Sequence, residues 1–273
     1  MFQINNNFKL IKKGEIIITY FRVSFSYNFS QMKVEVCVDS ILSIQNAYAA
    51  KVDRIELCSA LEVGGLTPSN GLIKEATDIK LLPIHCLIRP RPGHFFYNKE
   101  EIKVIEKNIL NAYELGCHGV VIGAHDKNFK LDLTLLKRWK TLAGRMHLTF
   151  HRAFDILVSP LESINQLIDL GFDCILTSGQ KEKAEEGIDN LTYWNTKFGS
   201  DITIMPGSGV GVLNCKKFKK EGFKYIHLSA GVDIQSISIP DGINQNLSFL
   251  KQKIRHSDKQ TLIEVVKSLK SVE

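Results

Sequence analysis

The sequence predicts an α/β protein, a single (β/α)8 TIM-like barrel, from three observations. Strand-like runs recur eight times at intervals of roughly 20 to 35 residues, with helical segments between them. One helix-to-strand junction is repeated, as Gly116-Cys117-His118-Gly119-Val120, Gly171-Phe172-Asp173-Cys174-Ile175 and Gly222-Phe223-Lys224-Tyr225-Ile226. The 273 residues, 44% apolar, suffice to fill one large core. An open doubly wound sheet would also alternate strands and helices, but the count of eight and the lack of an early Gly-rich dinucleotide loop favour closure.

In chain order, the strands are expected at Val34–Val38, Arg54–Cys58, Ile84–Arg89, Gly119–Gly123, His147–His151, Cys174–Ser178, Ile202–Pro206 and Tyr225–Ser229. Between the third and fourth, Ile102, Ile105, Ile109 and Tyr113 recur at helical spacing, which predicts a helix over Glu100–Leu115 that Gly116 stops. After the fifth, Ser159 suits an N-cap and Pro160 the first turn. Ile164, Leu167 and Ile168 then form a buried face, and Gly171 ends the helix.

Residues 1–31 read as a loosely ordered extension to a barrel domain over 32–273. Their run Ile16-Ile17-Ile18-Thr19-Tyr20-Phe21 is interrupted by Arg22, too short for a membrane span and a poor signal peptide. The formal charge of +6 is concentrated at the ends, +3 in residues 1–31 and +3 in 251–273. A neutral middle lacks the basic stripe that nucleic-acid binding needs. The six cysteines at 37, 58, 86, 117, 174 and 215 are scattered singly without a CxxC pair, which points to reduced thiols in the cytoplasm.

Strand alternation separates the two faces of the barrel wall. If Val34, Val36, Val38, Ile55 and Leu57 face the helices, then Glu35, Cys37, Asp39, Glu56 and Cys58 point inward. Arg89, Thr149, His151, His227 and Ser229 follow by the same rule. A barrel interior is ordinarily filled with branched apolar side chains. Buried carboxylates are costly unless paired, so Glu35 and Glu56 require Arg89, Arg152 or a ligand nearby. The bland reading is a salt-bridge network that merely fixes the barrel.

The polar residues nevertheless gather at strand ends, where barrel proteins build their sites. His151-Arg152-Ala153-Phe154-Asp155 joins a base, a cation and a carboxylate after the fifth strand. Arg89 and Arg91, in Ile88-Arg89-Pro90-Arg91-Pro92-Gly93, offer two guanidiniums to an anion. Gly207, Ser208 and Gly209, after the seventh strand, could free backbone N–H groups for a phosphate or carboxylate.

Six motifs in order then resemble the CutC family over about Met32 to Val232. They are Glu35-Val36-Cys37-Val38-Asp39-Ser40, Asp53-Arg54-Ile55-Glu56-Leu57-Cys58-Ser59-Ala60, Gly64-Gly65-Leu66-Thr67-Pro68-Ser69, Thr149-Phe150-His151-Arg152-Ala153-Phe154-Asp155, Leu176-Thr177-Ser178-Gly179-Gln180 and Ile204-Met205-Pro206-Gly207-Ser208-Gly209-Val210. The resemblance implies a TIM-like barrel, an oligomer of identical chains, and a cytoplasmic role in copper homeostasis with Cu(I) as ligand. It also implies that Cys37 and Cys58 hold the copper. Ser208 stands where many relatives have another glycine, a change that matters only if the loop needs a positive φ.

Cu(I) is soft and prefers thiolates, so a two-sulfur clamp on neighbouring strands about 5 Å apart is reasonable if their registers agree. Buried cysteines also serve as plain packing residues. A second class of function is an enzyme, a hydrolase, isomerase or lyase, acting on a small anionic substrate. Its acid–base residues would come from Glu35, Glu56, His151, Arg152 and Asp155, with Arg89 and the Gly207–Gly209 loop holding the anion. A third is an oligomeric scaffold with neither activity. The expected partners are a copper ion or a small anionic ligand, with no nucleic acid and no membrane.

Overall fold

Valines alternate with Glu35 and Cys37 in the first strand, β1 (Lys33–Val38), and the barrel is built outward from it. The computed structural model describes residues 31–234, 238–251 and 253–270, so the extension expected over 1–31 lies almost wholly outside the described residues. Seven more strands follow: β2 (Arg54–Leu57), β3 (Ile84–Leu87), β4 (Gly119–Ile122), β5 (His147–Phe150), β6 (Cys174–Thr177), β7 (Thr203–Pro206) and β8 (Tyr225–Leu228). All pair in parallel in the order β7-β6-β5-β4-β3-β2-β1-β8. β7 and β8 sit side by side without a ladder between them, so the barrel is nearly closed. Several strands end one or two residues before the expected position: Cys58 and His151 still donate their N–H groups to the carbonyls of Val38 and Ile122, while the Arg89 N–H turns to Thr67 Oγ1.

The helices are α1 (Ile41–Ala49), α2 (Asn70–Asp78), α3 (Lys99–Glu114), α4 (Leu133–Ala143), α5 (Pro160–Leu170), α6 (Ile188–Phe198), α7 (Cys215–Lys220) and α8 (Lys259–Lys270). Val34, Val36, Val38, Ile55 and Leu57 share one apolar layer with Ile44, Ile105, Leu136 and Leu191 of the helices. Inside the barrel, two smaller clusters form separately, Cys37 with Cys58, Leu87 and Val121, and Cys174 with Leu176 and Met205. The predicted two-faced alternation therefore holds.

α3 starts on a reciprocal cap: the Asn98 side chain accepts from the Glu101 N–H at 2.8 Å, and Glu101 accepts from the Asn98 N–H at 2.8 Å. Its buried face is Ile105, Ile109 and Ala112, whereas the expected Tyr113 is exposed. Seven residues on from Ile105 return to the same face, and eight turn about 80° past it. In α5, Pro160 occupies the first turn and Gly171 ends the helix at φ +72°, as expected. Ser159 does not cap through its side chain; instead its carbonyl accepts from both the N–H and the hydroxyl of Ser163.

One element is absent from the sequence expectation. After β8 the chain forms β9 (Gly231–Ile234), which pairs antiparallel with β10 (Ile254–Ser257). Ser257 fastens this hairpin to α1, its N–H donating to Ser43 Oγ at 3.0 Å and its carbonyl accepting from Asn46 Nδ2 at 2.9 Å. Among the described residues, no helix is long and apolar enough to cross a membrane.

Candidate functional site

The floor of the site is set by register. Glu35 on β1 stands opposite Arg54 on one side and opposite His227 on the other. Its carboxylate is fully buried, 2.5 Å from Arg54 Nε and 2.8 Å from His227 Nδ1. Burial alone would raise its pKa, but Arg54 and His227 hold it far below the ordinary carboxylate range. Arg54 also lies over the Tyr225 ring, 4.3 Å from its centroid. The expectation that Arg89 or Arg152 neutralises the interior acids is therefore corrected. Arg54, directly across the ladder from Glu35, does so for Glu35.

Above this pair, Cys37 faces Glu56 across the β1–β2 register. Cys37 Sγ, a Glu56 carboxylate oxygen and a His227 ring nitrogen all lie within 4.8 Å of one another, and all three residues are buried. His227 Nε2 is 3.7 Å from Glu56 Oε2. Burial opposes charge on His227, yet the neighbouring Cys37, Glu35 and Glu56 raise its pKa well above the ordinary value. Burial, with Glu35 close by, pushes Glu56 up to about 7 against the pull of His227.

Cys58 is not part of this cluster. It lies one residue beyond Leu57, the partner of Val38, and is therefore staggered from Cys37 along the barrel axis. Its thiol donates to the Val38 carbonyl at 3.4 Å, and burial raises its pKa well above the ordinary value. The two sulfurs share an apolar cluster, with Cys58 two residues beyond Glu56, the register partner of Cys37.

Over the cluster opens a cavity of about 530 Å³, whose wall includes Arg89, His151, Arg152, Asp155, Ser208 and Gly209. Arg152 Nε donates to Asp155 Oδ2 at 2.8 Å, and Asp155 also accepts from Thr177 Oγ1 and the Ser178 N–H, so the Arg152–Asp155 pair is firmly held. His151 Nδ1 accepts from the Ala153 N–H at 3.1 Å, and burial together with Arg89 drops its pKa to about 3. The imidazole is thus neutral, with its proton on Nε2.

Two expected ligand residues stand outside the cavity wall. Arg91 is held by Glu101 at 2.5 Å and by the carbonyls of His94 and Phe96. Gly207 packs instead: a Cβ there would lie 2.5 Å from Leu176 Cδ1. Ser208 adopts φ +82°, the condition under which its departure from glycine matters, and its hydroxyl donates to the Glu182 carbonyl at 2.7 Å. Sequence reasoning singled out neither Arg54 as a counter-ion nor Arg255 and His256, which the hairpin brings to the cavity wall. The inward phase of Arg54, two residues before Glu56, was the available signal.

The CutC family model matches residues 32–232. A CutC family protein from Glaesserella parasuis serovar 5 is 42% identical over 207 residues, 76% of this chain and 85% of that protein. One from Pasteurella multocida is 41% identical over 199 residues, 72% of this chain and 82% of that protein. The crystal structure of CutC from Streptococcus agalactiae, a protein whose name assigns it to copper homeostasis, superposes with a TM-score of 0.70 at 33% identity, covering 72% of this chain and 98% of that one. Phosphoribosyl anthranilate isomerase from Thermus thermophilus, at 10% identity and a TM-score of 0.51, shares the barrel fold alone, over 87% of this chain and 98% of that one. With six motifs in order, an eight-stranded parallel barrel and relatives at about 40% identity, this chain belongs to the CutC family.

Proposed function

We propose that the protein handles copper as cargo in the cytoplasm, binding Cu(I) at the cavity floor through Cys37 Sγ and His227 Nε2, with Glu56 beside them. The convergence of these three buried side chains within 4.8 Å carries the reading. A thiolate and an imidazole suit Cu(I), which accepts low coordination; the harder carboxylate is better suited to taking the Cys37 proton than to ligation. Glu35 acts from behind: by accepting the Nδ1 proton of His227 it makes Nε2 the ring nitrogen that binds metal, once Nε2 gives up the proton that the raised pKa of the ring keeps there. Cys58 lines the apolar side of the cluster, its thiol on the Val38 carbonyl as the Cys37 thiol is on the Leu228 carbonyl, and either sulfur would bind metal only after giving up that bond.

The test is anaerobic titration of the reduced protein with Cu(I) against a competing chelator, for wild type, Cys37→Ser, Cys58→Ser and His227→Gln. The reading expects one tight equivalent, lost with Cys37→Ser, weakened by about tenfold or more with His227→Gln, and retained with Cys58→Ser. Binding that is absent from wild type, or unchanged in Cys37→Ser, contradicts it.

A further inference from the structure

The cavity is larger than a metal ion requires. At about 530 Å³ it lies within the usual range of small-molecule sites, about 300–1,000 Å³. Asp39 follows β1 and Glu56 stands on β2, whereas Arg89 follows β3 and His151 follows β5.

Arg89 is 8% exposed and, among the described residues, has no carboxylate within ion-pair distance. Its outer nitrogens donate to the carbonyls of Val63, Gly65 and Gly93, which fixes the guanidinium without cancelling its charge. Its Nε has no partner. The other arginines of the wall are engaged, Arg152 with Asp155 and Arg255 with Asp233. A buried charge lacking a counter-ion is costly, and a bound anion removes that cost.

His151 stands beside it. The two flank one ring, Arg89 Cζ lying 5.1 Å and the imidazole 4.6 Å from the centre of Phe95. His151 is 4% exposed, its Nδ1 is occupied by the Ala153 N–H, and its Nε2 has no acceptor. At the end of the intervening strand stands Gly123, where a Cβ would lie 2.5 Å from His151 Cε1, so the ring fills the space a side chain would take. Elsewhere on the wall, no acceptor among the described residues takes the N–H groups of Ser208, Gly209 or Val210.

We propose that this side of the cavity is an oxyanion subsite, where a small molecule bearing a carboxylate or phosphate sets that group against Arg89 and the Nε2–H of His151. The backbone of residues 208–210 supplies further donors to a molecule long enough to span the cavity. The subsite uses none of Cys37, Glu56 or His227, so it stands or falls separately from copper binding.

Isothermal titration of the metal-free protein with inorganic phosphate and with citrate, at constant ionic strength and with chloride as control, tests it. Saturable binding of at least one probe is expected, weakened about tenfold or more by Arg89→Met and by His151→Phe, and less by His151→Gln, which keeps a donor. Arg89→Met also releases the loops that Arg89 ties together, so if it does not fold the two His151 variants decide the outcome. No saturable binding beyond chloride, or equal binding in wild type and His151→Phe, overturns the proposal.

Discussion

His227 Nδ1 lies 2.8 Å from Glu35 Oε1, and both side chains are buried across the β1–β8 seam of the barrel. The same carboxylate takes Arg54 on its other oxygen, so three charged groups from three strands form one closed unit beneath the cavity. Because the unit sits under Cys37 and Glu56, it both fixes the barrel wall and aims the imidazole.

Breaking that unit from one side should be severe. Glu35→Gln leaves the Arg54 guanidinium, 5% exposed, without its counter-ion, and should cost about 3–5 kcal/mol in urea unfolding. The double variant Glu35→Gln, Arg54→Met should lose less than Glu35→Gln alone, because no uncompensated charge remains. Equal losses would show that packing, not charge, dominates here.

Glu56 sets a pH dependence of definite sign. Its folded-state pKa, about 7, stands above the ordinary carboxylate value, so its neutral form is the one the fold favours. The stability it contributes is full below the ordinary carboxylate pKa and is lost as pH rises through about 7. Between about pH 5 and about pH 8, wild type should therefore lose on the order of 2 kcal/mol relative to Glu56→Gln, which cannot ionise. Parallel stability profiles for the two proteins would contradict this.

Ser208 pays for its position in backbone strain. At φ +82° a side chain is disfavoured, whereas its hydroxyl bond to Glu182 is partly compensating. Ser208→Gly should consequently be more stable than Ser208→Ala by about 1 kcal/mol, as both lose the hydroxyl and only glycine relieves the strain. Thermal unfolding of the pair measures the difference.

Gly119 makes room for the interior histidines. A Cβ there would lie 2.8 Å from the His147 carbonyl and 2.9 Å from the His85 ring. Gly119→Ala should cost about 1–3 kcal/mol, read from the denaturation midpoint, with Gly211→Ala as a contrast because a Cβ at Gly211 meets nothing within 4 Å and its φ is not positive.

The fold was largely legible because its signals are local and repeated: valine alternation in β1, the apolar face of α3 and the glycine junctions before β4, β6 and β8 recur along the chain. The inward residues of the site followed from the same two-residue period. What sequence could not supply was register. That Cys37 faces Glu56, that Glu35 meets both Arg54 and His227, and that Arg91 turns away to Glu101 all depend on how neighbouring strands and loops align. The β9–β10 hairpin escaped because each of its strands is four residues long, with nearly all side chains at least partly exposed, too little for alternation to register.

The central claim is that copper is held by one sulfur and one imidazole nitrogen. Copper K-edge absorption of the Cu(I)-loaded protein measures this directly. The account predicts mixed sulfur and nitrogen ligation that disappears in Cys37→Ser and loses its imidazole contribution in His227→Gln. A shell of two sulfurs without nitrogen, abolished equally by Cys58→Ser, would contradict it.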